Sequence, residues 1–182
     1  MAAAACLLAG CGSAPPLPAK SPTVPAGLDL SGDWQIQRAS RDSNRRIQEA
    51  ERRAAGPGES LIPGKKSSNR RSNDDIQVHV FLESGETLRI SQTEHGLFIS
   101  FDRAVVEEYR FGEQRMVSVG PSVAERVSGW ENNAYVVVTR DKEGTVLTES
   151  YRLQDADTLV RRVQITGDPL FTLDVEQAFD RR

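Results

Sequence analysis

The sequence predicts a mainly β fold, an antiparallel up-and-down meander that closes into a small β-barrel, with one short helix near its N-terminus. Three observations predict it. Nine short segments from Thr87 onward carry the period-two alternation of half-buried strands. Nearly every gap between them holds turn chemistry, such as Glu94-His95-Gly96, Glu131-Asn132-Asn133, Lys142-Glu143-Gly144 and Gly167-Asp168-Pro169. A meander of that length curls and closes to remove its edges. The size agrees: 182 residues suit one domain, and 38% hydrophobic residues with a mean hydropathy of -0.46 supply one core. A multi-span membrane bundle, which needs runs of about 20 apolar residues, is excluded.

The first strand is expected within Leu28 to Ile36 (LDLSGDWQI), entering the core at Trp34 after a Ser-Gly turn. A helix follows over Ser40 to Ala55, with a polar start at Ser40 or Asp42, an apolar stripe of Ile47, Ala50 and Ala54, and Gly56-Pro57 as its stop. Residues 56–75 are rich in Gly, Pro, Ser, Asn, Lys and Arg, and they read as a disordered insertion. Ile76 to Leu82 alternates with period two and reads as a strand, although Asp74-Asp75 would also cap a short helix. The remaining strands are expected at 87–92, 96–101, 107–111, 116–119, 123–130, 134–140, 145–153, 158–165 and 171–179.

The N-terminus reads as an export signal rather than as structure, an apolar run closing on small residues. Within it Leu8-Ala9-Gly10-Cys11 resembles a bacterial lipobox, in which the cysteine is acylated and becomes the new N-terminus. The resemblance implies a signal peptide over 1–10 and a mature chain starting at lipid-bearing Cys11. Gly12 after the cysteine, where Asp would retain the protein at the inner membrane, implies an outer-membrane lipoprotein facing the periplasm, with the inner membrane and the cell surface as the alternatives. Two or three acyl chains anchor durably where one would be reversible. Residues 11–27 then form a proline-rich tether with five prolines, expected to act as a spacer before the globular part at 28–182.

Strand parity singles out the charges that share a face with the core. Glu149 lies between Leu147 and Tyr151, Arg161 between Leu159 and Val163, and Arg126 shares a face with Trp130. Because a buried charge is tolerated only when paired, Arg126, Glu149 and Arg161 are expected to form an ion-pair cluster inside the barrel or at its mouth. Such a cluster serves either as a structural clamp or as a polar handle for a ligand head group. Residues 38–72 hold ten Lys/Arg against four Asp/Glu, a local +6 that leaves -9 for the rest of a chain of net charge -3. Lys65, Lys66, Arg70 and Arg71 suit a solvated loop or an anionic envelope surface. Without interleaved aromatics they do not suit nucleic acid.

Other chemistry lacks its residues. Gly58 to Lys66 has the wrong glycine spacing for a phosphate loop and no Ser or Thr after Lys65. His79 and His95 are the only histidines and form no metal-ligand pair, and both cysteines, Cys6 and Cys11, precede the globular part. No Gly-x-Ser-x-Gly elbow occurs, and adjacent Glu107 and Glu108 point to opposite faces. No catalytic residue, metal or cofactor is therefore expected, and the chain is read as a non-enzyme.

Gly32-Asp33-Trp34 at the head of the meander resembles the Gly-x-Trp motif of lipocalins, which implies that the tryptophan sits at the closed end of the barrel against an arginine of the last strand, Arg181 or Arg182. Over residues 28–182 the chain is similar to uncharacterised bacterial secreted proteins and lipoproteins with a lipocalin-like barrel. The shared residues are Ser31-Gly32-x-Trp34, Leu88-x-Ile90 with Gln92, Gly129-Trp130, Val136-Val137-Val138, Glu149-x-Tyr151-x-Leu153 and Phe179-Asp180-Arg181.

Two functions fit these readings. One is a binding module that holds a small apolar or amphipathic molecule in the barrel, lined by Trp34, Arg126, Trp130, Glu149, Tyr151 and Arg161. The other is a non-catalytic envelope scaffold or interaction protein whose barrel is filled by side chains. A hollow interior marks the first, and a filled core with an exposed apolar or basic patch marks the second. An aromatic content of 6% offers few large interior fillers and favours the first.

Overall fold

The alternating segments from Thr87 onward do become strands, and with the segment at Trp34 they join in one ten-stranded antiparallel sheet. The computed structural model describes residues 15–54 and 78–182. Its strands are β1 (Gly32–Ile36), β2 (Thr87–Gln92), β3 (Gly96–Phe101), β4 (Val105–Arg110), β5 (Glu113–Val119), β6 (Ser122–Glu131), β7 (Ala134–Asp141), β8 (Val146–Leu153), β9 (Thr158–Thr166) and β10 (Leu173–Arg181). One helix, α1 (Arg41–Ala54), follows β1 after a 3-10 turn at Arg38–Ser40. Ile47 and Ala50 are fully buried, as the stripe predicts, and Asn44 joins them one turn earlier.

The strand order β4-β3-β2-β1-β10-β9-β8-β7-β6-β5 makes the last strand the neighbour of the first. Consecutive strands β4 and β5 are consequently the two edges, and the curled sheet leaves a seam there across which β4 meets β6 as well as β5. Side chains close it: Ser128 Oγ donates to the Arg110 carbonyl at 2.9 Å, Arg115 Nη2 to the Glu108 carbonyl at 3.3 Å, and Arg126 pairs with Glu107 at 3.3 Å. The result is a nearly closed, lipocalin-like barrel with one helix.

Strand direction gives the barrel two different ends. At one, Trp34 is fully buried beneath Arg181, whose guanidinium carbon lies 4.1 Å from the ring centroid and whose Nη1 donates to the Ser31 carbonyl at 2.7 Å. Arg181 is thus the stacking partner that the motif implies. The approach is close: a Cβ on Gly32, whose φ is +153°, would lie 2.5 Å from that Nη1. At the other end α1 and residues 78–82 cover the opening. This is the helix end.

Two expectations need correction. Residues 78–81, read as part of a strand, form a 3-10 turn (Val78–Phe81). Val78 N donates to Asp141 Oδ2 at 3.0 Å, and Val78, His79 and Phe81 are all buried, so the alternation is absorbed by packing across the barrel end instead of by a sheet. The proline-rich stretch is not a free spacer in its described part. Leu17 is buried against Val127, Val136 and Val138 on the outer face of the sheet, and Ser21 exchanges two backbone hydrogen bonds with Trp130 at 3.2 and 2.8 Å. Gly129 permits this crossing: its φ is +158°, and a Cβ there would lie 2.5 Å from the Ser21 carbonyl oxygen. Cys11, the insertion at 56–75 and the basic residues Lys65, Lys66, Arg70 and Arg71 lie outside the described residues.

Candidate functional site

Register places the inward polar side chains in one layer. Tyr151 pairs with Arg161 and Arg161 with Gln177 across β8, β9 and β10, while Glu149 stands two residues from Tyr151 on the same face. An aromatic core of Trp34, Phe101, Tyr109, Trp130, Tyr135, Tyr151 and Phe179 lies to one side. A second cluster, built on Ile47, Val78, Phe81, Leu147, Val163 and Val175, lies on the helix side.

Arg161 is the hub of the layer. It is fully buried, and its Nη2 donates to Glu149 Oε1 at 2.5 Å and to the Glu83 carbonyl at 2.7 Å. Nη1 donates to Gln177 Oε1 at 3.3 Å, and the guanidinium stacks over Phe101 at 4.9 Å. Tyr151 Oη donates to the same Glu149 oxygen at 3.1 Å, and Gln177 Nε2 passes the network to Asn44 of α1 at 3.1 Å. Burial alone would disfavour the Arg161 charge, but Tyr151 and Glu149 beside it outweigh that and hold its pKa above the ordinary value. Burial raises the Tyr151 and Tyr109 hydroxyls well above the usual phenol range.

The expected three-residue cluster forms only in part. Arg161 and Glu149 pair as parity predicts, but Arg126 turns to β4, pairing with Glu107 and donating from Nε to Thr139 Oγ1 at 3.0 Å. The reason is register, which levels Arg126 with Thr139 and Leu147 and puts it beside the seam. Trp130 is buried against Phe111 and Tyr135, with ring centroids 5.6 and 5.4 Å away.

Carboxylates that sequence reasoning missed complete the layer at the helix end. Glu51 of α1 accepts from Ser84 Oγ at 2.8 Å, and Glu83 follows the 3-10 turn. Burial pushes the Glu83 carboxyl up to about 7, helped by the neighbouring charges of Glu51, Glu107 and Glu149. The same parity rule that finds Glu149 would have found Gln177, between Val175 and Phe179, and Glu107, beside Tyr109. Glu51 and Glu83 carry no such signal, because both reach the layer from outside the sheet.

The interior is occupied at these levels. Trp34, Tyr135, Tyr151, Phe179 and Arg161 are fully buried, so none of them presents surface to a void the size of a water molecule. Among the described residues, no group of three or more His, Cys, Asp or Glu side chains is placed to hold a metal ion. An open groove of about 650 Å³ lies on the outer face ahead of Leu17, lined by Gln114, Met116, Val123, Glu125 and Arg140.

No family model matches the sequence, and no curated protein does. Among solved structures the chain is similar to a secretary abundant heat soluble (SAHS) protein from Ramazzottius varieornatus, at 12% identity and a TM-score of 0.51 over 86% of this chain and 98% of that one. It is also similar to a point mutant of the REP1-NXSQ fatty acid transporter, at 11% identity and a TM-score of 0.44 over 85% and 98% of the two chains. The SAHS likeness shows a shared barrel fold.

Proposed function

We propose that the protein is a non-catalytic interaction protein of the bacterial cell envelope, held at the outer membrane by lipid on Cys11 and facing the periplasm. Its barrel is a rigid body filled by its own side chains, and it makes its contacts from the outer surface. The observation that carries this reading is the complete burial of Trp34, Tyr135, Tyr151 and Arg161, which leaves no room among them for a guest. The polar layer then acts as a clamp, since hydrogen bonds link Glu149 to Arg161, Arg161 to Gln177 and Gln177 to Asn44, although Arg161 Nε is left without a partner. Lys65, Lys66, Arg70 and Arg71 add a contact for anionic envelope surfaces.

A second reading places a small apolar or amphipathic molecule inside the barrel. It is favoured by the seam, where edge strand β4 is joined to β5 and β6 by side chains and can part from them without breaking a ladder of backbone bonds. Native mass spectrometry on the soluble form starting after Cys11, before and after organic extraction, separates the two. A bare polypeptide mass that stays unchanged after incubation with lipid extracts is expected. An extractable mass of a few hundred daltons would replace the first reading with the second.

A further inference from the structure

The proline-rich stretch that crosses the outer face forms a strap, and it has a direction. Ser21 lies beside Trp130 near the end of β6, and four residues earlier Leu17 N donates to Glu125 Oε1 at 3.2 Å. Followed toward the N-terminus, the chain therefore runs along β6 toward the β5–β6 hairpin. Glu125 is five residues from the hairpin turn at Gly120-Pro121, about 17 Å at the rise of a strand. Cys11 is six residues from Leu17, a reach of at most about 20 Å. The lipid-bearing residue and the hairpin tip thus come within reach of each other.

The hairpin itself suits an apolar environment. Residues 116–124 (MVSVGPSVA) contain no charged side chain. Met116 is 64% exposed, Val119 48% and Val123 50%, although each could have been a polar residue at no cost to the core. Two more of the large exposed apolar side chains stand at the same end: Val106 near the start of β4, the edge strand across the seam, and Leu170 in the β9–β10 loop. An uncharged hairpin tip of this kind, beyond the paired Glu125 and Arg140 that line the same groove as Met116 and Val123, enters the interfacial region of a bilayer without the penalty that Asp, Glu, Lys or Arg at the tip would impose.

We propose that the β5–β6 hairpin is seated on the phospholipid surface that holds the anchor, with Met116, Val119 and Val123 dipping into it and the Trp34–Arg181 end pointing away from the membrane. The strap is the device that fixes this orientation, because it delivers the anchor to one end of the barrel. The inference rests on the reading of Cys11 as lipidated, and the test keeps the two apart.

Acylation uses Cys11 and signal removal takes Cys6, so the mature chain has no other thiol. Val119→Cys then gives a unique site for an environment-sensitive fluorophore, and Glu94→Cys, exposed in the β2–β3 turn at the opposite end, gives the reference. The full lipidated proteins are reconstituted into phosphatidylethanolamine/phosphatidylglycerol vesicles with and without nitroxide-labelled lipid, and the mass of the mature N-terminal peptide is measured on the same material. Expected are an acylated Cys11, a blue-shifted emission at position 119 and quenching there several times stronger than at 94. An acylated Cys11 with aqueous emission at 119, or equal quenching at both sites, overturns the orientation and leaves the anchor intact. An unmodified Cys11 overturns the anchor reading and the inference with it.

Discussion

Arg161 on β9 and Glu149 on β8 form a buried ion pair at 2.5 Å, two residues out of direct register, with Tyr151 supplying a second donor to the same carboxylate oxygen. The diagonal offset matters. It leaves Arg161 free to reach Gln177 on one side and the Glu83 carbonyl on the other, so one guanidinium joins β8, β9 and β10 to the segment that closes the helix end.

Glu149→Gln is expected to destabilise the protein by about 3–5 kcal/mol, since removing one partner leaves a buried charge uncompensated. Replacing both residues with apolar ones of similar volume, as in Glu149→Leu with Arg161→Met, should recover most of the loss. Urea denaturation midpoints of the two variants measure this. A single variant with an unchanged midpoint would mean that the pair is not a closed, buried unit.

Glu83 adds a pH dependence of unusual sign for a carboxylate. Its folded pKa, about 7, lies above the ordinary 4.5, so its contribution to stability is complete below about 4.5 and is lost as pH rises through about 7. His79 runs the other way. Burial lowers its pKa below the ordinary 6.5 although Asp168 partly offsets this, and its contribution is lost as pH falls below about 6.5. Glu83→Gln should therefore gain thermal stability relative to the parent between pH 4.5 and 7, reaching a plateau above. A difference in Tm that stays flat across that range would show that Glu83 ionises as it does in the unfolded chain.

The sheet is legible in the sequence because parity and turns are local: every strand from Thr87 onward overlaps a segment whose alternation predicts it, and Arg161 and Glu149 meet because both obey the rule. What parity cannot supply is the neighbour across a seam. Nothing in the sequence of β4 says that it faces β5 and β6 without a ladder, so the sequence does not pair Glu107 with Arg126. The strap is illegible for another reason. Pro15 to Pro25 has no periodicity, and it is held by scattered contacts, Leu17 against the outer face, the Ser21–Trp130 bridge, the Lys20–Glu131 ion pair and Val24 against the core, with Gly129 on the far strand as a trace of the contact.

That trace can be tested. Gly129→Ala combines a backbone conformation unfavourable to alanine with a Cβ 2.5 Å from the Ser21 oxygen. It should release the strap and cost about 1–3 kcal/mol, the range of an overpacked site. Amide hydrogen exchange at Ser21 and at Trp130, whose N–H groups bond to each other's carbonyls, should accelerate together in the variant. Undisturbed protection at Ser21 would mean that the Ser21–Trp130 bridge tolerates the added Cβ and that Gly129 is not required for it.

The seam offers the last test, and it bears on whether the barrel ever opens. Arg126 pairs with half-buried Glu107 on β4, bonds Thr139 on β7, and stacks over Phe81 and Tyr109 at 5.5 and 5.6 Å. It is thus a rivet that ties edge strand β4 to β6 and β7 and to the helix-end cover. Arg126→Met keeps much of the stem's packing and removes the ion pair together with the Thr139 bond. If the barrel is a filled, rigid body, the variant should lose about 1–3 kcal/mol through the unpaired Glu107 and Thr139, while amides of β8, β9 and β10 keep their relative protection. Exchange should rise mainly in β4 and β5, whose outer edges have no ladder partner. If instead the seam is a gate, the same variant should bind apolar dyes that the parent excludes, because parting β4 from β5 exposes the aromatic core around Tyr109 and Trp130. Dye binding by the variant, with an unchanged fold by circular dichroism, would move the protein from the filled-barrel reading to that of a carrier with a side entrance.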